Sequence, residues 1–351
     1  QILSSNLVSN GNFSQEGVQK VSNGSFSQEG VELLSQPVNL VTDFTTNSGG
    51  VIVDADTFTT SGGGLDGIKK SFLTVGKSYK LVIEGDTTSS GFTIGSLGNS
   101  GNEYGSGFGT HYFECINSGL WIRQNTSGTT NITSFSVKEV GQDWEFNSTA
   151  ILTANGMNIT TGGFIRQDVV TIGKSYKLTY DIVSYTSGAI RVYDGTSQGN
   201  IPTSIGSNTF NFTAGGSVFL IQGNSASLDL TITNISIKEV GQDWTLGTGW
   251  SIGDDKAVAD STSININQYL GNKQGVKLLI EFDVDFVSGS SIKAEIGGAF
   301  GDVLSTSGRY STTITPISTS GYLYIYGGAF TGSITNISVL EITDDTNLPR
   351  I

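Results

Sequence analysis

The chain has 351 residues and a formal charge of −13, from 18 basic and 31 acidic side chains. That balance disfavours an electrostatic grip on nucleic acid or an anionic membrane, and no apolar run reaches the length of a membrane span. One His, one Cys and one Met exclude a His/Cys metal cluster and a disulfide framework, whereas 18 Phe, 12 Tyr and 4 Trp suffice to fill cores between turns built from 48 Gly.

The first residue is Gln1 and the only methionine is Met157, which predicts a processed or truncated product. The first element is a repeat. VSNGNFSQEGVQK (Val8–Lys20) is followed by VSNGSFSQEGVEL (Val21–Leu33), a period of 13 residues. Each unit reads as two short extended segments with turns at Asn10-Gly11 or Asn23-Gly24 and at Glu16-Gly17 or Glu29-Gly30. Its apolar positions are Val8, Phe13 and Val18, repeated as Val21, Phe26 and Val31. Two such units cannot bury a core alone, because stacked repeats need several neighbours. Either the units are a pair of loose hairpins, or residues 1–36 form a thin β-repeat shaft completed by sister chains, most naturally with threefold symmetry.

A longer period follows. KEVGQDW occurs at Lys138–Trp144 and again at Lys238–Trp244, each preceded by a similar strand (TSFSV, TNISI), and TNISVLEI closes the series at Thr335–Ile342. GKSYKL at Gly76–Leu81 and Gly173–Leu178, with GVKLLIEFDV at Gly275–Val284, gives a second marker in the same order. Three tandem modules result, at 37–141, 142–241 and 242–346, with a tail at 347–351. Tyr79, Leu81 and Ile83, like Tyr176, Leu178 and Tyr180, alternate with polar neighbours, the period-two pattern of a strand with one buried face. Val240 falls on the opposite side of its strand from Ile235 and Ile237. No segment has helical periodicity. The fold class is therefore all-β, three tandem β-sandwich modules of jelly-roll type. Only Gly141–Asp143 and Gly241–Asp243 separate them, so the joints are short and fixed, and a stiff rod of roughly 100 Å follows from strand lengths.

These features carry a family resemblance. The NG-x-F-SQEG repeats, WTLGTGWSIGDDKAVAD (Trp244–Asp260), TIGKSYKLTYDI and TNISIKEV resemble the carbohydrate-binding-module-like jelly rolls of bacteriophage tail, fibre and capsid-appendage proteins. They are similar also to the carbohydrate-binding modules of bacterial glycoside hydrolases. The resemblance spans residues 35–345 as fold and 8–33 as fibre repeat. It implies a homotrimeric structural protein of a virion that contacts other virion proteins and a host surface polysaccharide. The other reading is a secreted or cell-surface bacterial carbohydrate-binding or adhesive protein, monomeric, located outside the cell.

Sugar recognition requires an exposed aromatic ring flanked by side chains that hydrogen-bond hydroxyls. The candidates are Tyr112, Trp121 and Arg123 (with His111 and Tyr104) in the first module and Arg191 and Tyr193 (with Asp194, Gln222 and Asn224) in the second. In the third they are Tyr322, Tyr324 and Tyr326, with Arg309 and Tyr310 nearby. In YLYIY the tyrosines share one face and Leu323 and Ile325 the other; either face can turn inward. Trp144, Trp244 and Trp250 read as core. The related modules often hold a structural calcium ion, but Asn234 and Asn336 stand where that family frequently has Asp, and Asp254, Asp255, Asp283 and Asp285 read as surface carboxylates. No cofactor is expected. No acidic pair sits in a cleft-forming context, so the chain reads as non-enzymatic.

Overall fold

The computed structural model describes residues 2–96 and 103–343; the tail at 347–351 lies outside them. Among the described residues the fold is all-β apart from one helical turn, Leu40–Asp43. That turn is capped by the Asn39 side chain, which accepts from the Val41 N–H, and it is too short to leave a periodic signal. No helix is long and apolar enough to cross a membrane among the described residues.

Six antiparallel sheets pair into three β-sandwich modules. In the second module ten strands follow in order: Glu145–Phe146, Ala150–Thr153, Gly156–Thr160, Phe164–Gln167, Ser175–Ser187, Ile190–Tyr193, Ser197–Ile201, Gly206–Thr213, Phe219–Gly223 and Asp229–Val240. Counting them one to ten, the larger, six-stranded sheet has the order 2-3-10-5-8 with one N-terminal strand also paired to strand 10, and the smaller, five-stranded sheet has the order 1-4-9-6-7; the other two modules repeat both orders. Apart from the hairpins 2-3 and 6-7, which stay within one layer, successive strands pass between the layers, and each layer turns its alternate residues into a shared core. Tyr79, Leu81, Ile83, Tyr176, Leu178 and Tyr180 are all inward and at most 2% exposed, as their alternation predicts. Trp144, Trp244 and Trp250 are buried as expected. Val240 lies on the opposite side of its strand from Ile235 and Ile237, as their spacing predicts: those two enter the second module's core, and Val240 is buried in the core of the following module.

The N-terminal segment is not a shaft. Its three short strands pair with the tenth strands of this chain's own modules, in reverse order. Ile2–Leu3 lies along Phe330–Thr343 of the third module, with Leu3 opposite Ile342. Glu16–Gln19 lies along Asp229–Val240 of the second, with Glu16 opposite Val240. Glu29–Glu32 lies along Gly128–Val140 of the first, with Glu29 opposite Val140. Each tenth strand is longer than the third strand beside it, which covers only its first half, as at Gly128–Asn131. The arm takes the half-edge left over.

The 13-residue period is thus the step from one module to the next. At each step a side-chain oxygen of Asn6, Gln19 or Glu32 accepts from the N–H of Val339, Ile237 or Val137 (3.0, 2.7 and 2.9 Å). The following arm residue, Leu7, Lys20 or Leu33, donates its N–H to the carbonyl of that same residue. Between the steps the arm enters the cores. Val21 and Phe26 belong to the second module's cluster, Val8 and Phe13 to the third's. Phe26 lies 5.1 Å from Trp144, whose indole donates to the Asn23 carbonyl (3.0 Å); Phe13 lies 5.3 Å from Trp244, whose indole donates to the Asn10 carbonyl (3.2 Å). Both phenylalanines sit in left-handed backbone (φ +56° and +57°), which a bulky residue adopts only when its side chain is held. Glu16 is bracketed by Lys177 and Lys238, and Glu29 by Lys80 and Lys138.

The inference that two repeats are too poor in apolar residues to fold alone was sound; its conclusion, completion by sister chains, is overturned. The chain's own half-edges and joint cavities complete the arm, so the premise of a homotrimer is removed, and no trimer is shown.

Candidate functional site

The smaller sheet of each module has one face in the core and one turned outward. Register places seven of the eight principal candidates, all but Tyr112, on these outward faces. In the third module the ninth strand, Tyr322–Gly328, buries Leu323 and Ile325 completely, so Tyr322, Tyr324 and Tyr326 point outward. Neighbouring rings in this ladder are 5.8 Å apart, and Tyr269 on the adjoining strand extends it, 5.0 Å from Tyr322. Asn265 and Asn267 lie opposite Tyr326 and Tyr324, and Lys293 and Glu295 flank the other side. Lys293 Nζ lies 4.4 Å from the Phe300 ring centre, and Glu295 Oε1 accepts from the Gly298 N–H (2.7 Å). Burial and the adjacent Glu295 carboxylate raise the Tyr326 hydroxyl pKa, keeping it a neutral donor. The face offers rings, amides and hydroxyls together.

The second module's outward face has a row Phe164, Gln222, Arg191 and Asn200 across four strands, with Arg166, Leu220 and Tyr193 in the next. Arg191 sits over the Tyr193 ring, 5.7 Å to its centre. With its amide turned to satisfy both partners, Gln222 accepts through its oxygen from Arg191 Nε (2.6 Å) and Nη2. Asn224 donates to Asn200 at 2.5 Å. Asp194 is fully buried and faces its own turn, bonded to Thr196, Gln198 and the Gly215 N–H, and is no part of this surface.

The first module departs from expectation. Trp121 does lie on the outward face, opposite Gly95 and Lys69, yet it is only 5% exposed. The Arg123 guanidinium covers it at 5.5 Å and is itself paired with Glu103 (2.9 Å), and the indole N–H has no hydrogen-bond partner among the described residues. A covered ring cannot stack on a sugar, so Trp121 and Arg123 are corrected from open platform to closed lid. Tyr112 is corrected too: it lies on the larger sheet, in Gly109–Glu114, and packs against the second module's core across the joint. Tyr104 and Tyr310 are core residues, the first stacked on Phe113 and the second on Phe282. His111 lies on the same larger-sheet strand as Tyr112 and donates its Nε2–H to the Gly107 carbonyl (3.0 Å), and Arg309 is paired with Glu281 and Asp283.

The positions compared with a calcium site hold amide–carboxylate pairs instead. Asn234 donates to Asp181 (2.7 Å) and Asn336 to Asp283 (2.8 Å). No group of three or more metal-ligating His, Cys, Asp or Glu side chains occurs among the described residues. The glycine-rich stretch Ser61–Gly64 wraps a carboxylate: Asp66 accepts from Ser61 and from the N–H of Gly49 and Gly63, which holds its pKa down at about 2. Phe164, Asn265, Asn267, Tyr269 and Lys293 were not singled out from sequence. The alternation in NINQY, with Ile266 inward, is the signal that could have found three of them.

No family model matches the chain, and no curated protein matches it. Among solved structures, a chain described as "Biofilm associated protein - BSP domain" is similar at 8% identity, covering 88% of this chain and 82% of that one, with a TM-score of 0.14. At that score the likeness carries no argument about the site.

Proposed function

We propose that this chain is an extracellular adhesive protein that binds glycans through the outward faces of the smaller sheets of its second and third modules and catalyses no reaction. The observation that supports the reading is the four-tyrosine ladder of the third module, with Tyr269 and Tyr322 exposed and Asn265 and Asn267 opposite Tyr326 and Tyr324. Flat rings pack against the C–H face of a pyranose, and the adjacent amides supply paired donors and acceptors for its hydroxyls. Tandem faces on one chain raise avidity for a repeating polymer without any strong single site. The reading as a trimeric virion fibre has lost the shaft that favoured it, and a monomer suits the adhesive alternative.

The test is titration of the whole chain with neutral oligosaccharides, read by calorimetry, beside Tyr324→Ala. Loss of one stacking ring lowers affinity about tenfold. Unchanged affinity in the variant, or no binding by any oligosaccharide, would sink the reading. Sedimentation of the intact chain as a stable trimer would return the fibre reading to first place.

A further inference from the structure

We propose that the outward face of the second module takes a saccharide carrying an isolated carboxylate, held by Arg191. The proposal rests on the glycan-binding reading and assigns one module its ligand class.

The argument starts from charge. In a chain of net charge −13, the other described arginines are occupied by carboxylates: Arg123 by Glu103, Arg166 by Asp168 and Glu145, Arg309 by Asp283 and Glu281. Arg191 has no carboxylate partner among the described residues. The nearest acid in sequence, Asp194, is buried and fully engaged with Thr196, Gln198 and the Gly215 N–H.

Arg191 is nevertheless held in place, and by neutral groups alone. The Gln222 amide oxygen takes the Nε–Nη2 edge, and the guanidinium rests over the Tyr193 ring. Such bracing orients the cation without neutralising it, and it leaves the Nη1–Nη2 edge to receive a carboxylate in bidentate fashion. Phe164 and Asn200 lie in the same cross-sheet row, and Asn200 is fixed by Asn224. Ring, amide and unpaired guanidinium therefore converge at one place on one face.

The other two faces lack this chemistry. Arg123 is already paired with Glu103, and in the third module Glu295 sits beside Lys293 on the same strand. The overall negative charge opposes a dense polyanion. The fitting ligand is a glycan in which single carboxylates are spaced among neutral units.

The experiment pairs each acid with its neutral parent, sialyllactose with lactose and a glucuronic-acid-substituted xylotriose with xylotriose, titrated into the full chain and into Arg191→Gln, Arg191→Lys and Tyr324→Ala. At least one acid binds about tenfold more tightly than its parent, as a charge-assisted bidentate contact supplies. That preference disappears in Arg191→Gln, persists only in part in Arg191→Lys, survives in Tyr324→Ala, and shrinks as salt rises. Equal binding of acid and parent, or a preference retained by Arg191→Gln, overturns the proposal. If neutral sugars bind and lose affinity in Tyr324→Ala while no acid preference exists, this inference fails and the glycan-binding reading stands. If no sugar binds, both fail.

Discussion

Replacing Phe26 by alanine tests the arm most directly. The ring is 4% exposed, belongs to the second module's core and lies 5.1 Å from Trp144. Truncating a buried Phe costs about 3–5 kcal/mol, the lost transfer energy plus the cavity left behind. The loss falls on a local unit, because the arm contributes only a short strand and a few core residues at each joint. Local opening is therefore the quantity to follow, and a global midpoint in a three-module chain is a poor substitute. The Ile235 N–H donates to the Gly24 carbonyl and the Ile237 N–H to Gln19 Oε1, so their exchange with solvent reports arm release. At 1.4 kcal/mol per decade, a 3 kcal/mol loss speeds exchange at these amides by about a hundredfold. The equivalent amide of the third module, Ile337, which donates to Gly11, should change far less. Trp144 emission should shift to the red in the same variant, because its indole N–H is bonded to the arm at Asn23. Unchanged protection at Ile235 and Ile237 in Phe26→Ala, with an unshifted Trp144 spectrum, would refute docking of the arm on its own modules.

Further outcomes follow from the same contacts. Gly24→Ala places a methyl group 1.9 Å from the Ile235 carbonyl oxygen, so backbone must shift and the arm should detach at that joint; the check is the exchange of Ile235 and of Ile237, with Gly76→Ala, which meets nothing nearby though its φ of +80° carries its own strain, as a control for glycine loss outside the arm. Glu16→Leu alone leaves Lys177 and Lys238 facing each other without their carboxylate and weakens the arm by about 1 kcal/mol, whereas Glu16→Leu with Lys177→Leu and Lys238→Leu should recover it; no recovery in the triple variant would contradict the pairing. Hydrogen bonds from their paired lysines lower the Glu16 and Glu29 pKa values below the ordinary 4.5, so their stabilisation is complete above that value and is lost as pH falls through the lowered ones. Arm protection measured from pH 6 downward should therefore hold and then decline below about pH 4.5, less steeply at high salt, and a decline beginning near neutrality would point to another group.

The module cores were legible because alternation in a half-buried strand is written in single residues: Tyr176, Leu178 and Tyr180 can only face one way together. The tyrosine ladder was half legible. The sequence places the three tyrosines on one face, and the complete burial of Leu323 and Ile325 decides which. Trp121 was misjudged for a related reason. Alternation assigns it to the outer face, but it says nothing of a neighbouring guanidinium lying across the ring. The arm was the largest miss. Its composition states that something must complete it, and composition does not name the partner. The half-edges that accept it exist only because each tenth strand outruns its third-strand neighbour, a difference of strand length visible in three dimensions alone.

One further feature explains how two near-identical repeats keep their places. At the first joint Glu29 meets the cross-strand pair Lys80 and Lys138, and at the second Glu16 meets Lys177 and Lys238. The corresponding positions in the third module are Leu3 on the arm and the cross-strand pair Leu279 and Leu340. A slip of one unit toward the first module would set Leu3 beside Lys177 and Lys238 and strip both of their carboxylate. A slip the other way would put Glu16 against two leucines, and it would ask the short stretch from Leu33 to Asn39 to span a step that the arm covers with 13 residues. The charged trios thus hold the arm at the first two modules, and at its end the corresponding positions carry leucines in place of the charges. Repetition supplies three equivalent docking steps, and the exchange of Glu-Lys-Lys for Leu-Leu-Leu makes one of them unlike the others, which is sufficient to fix the register of the whole strap.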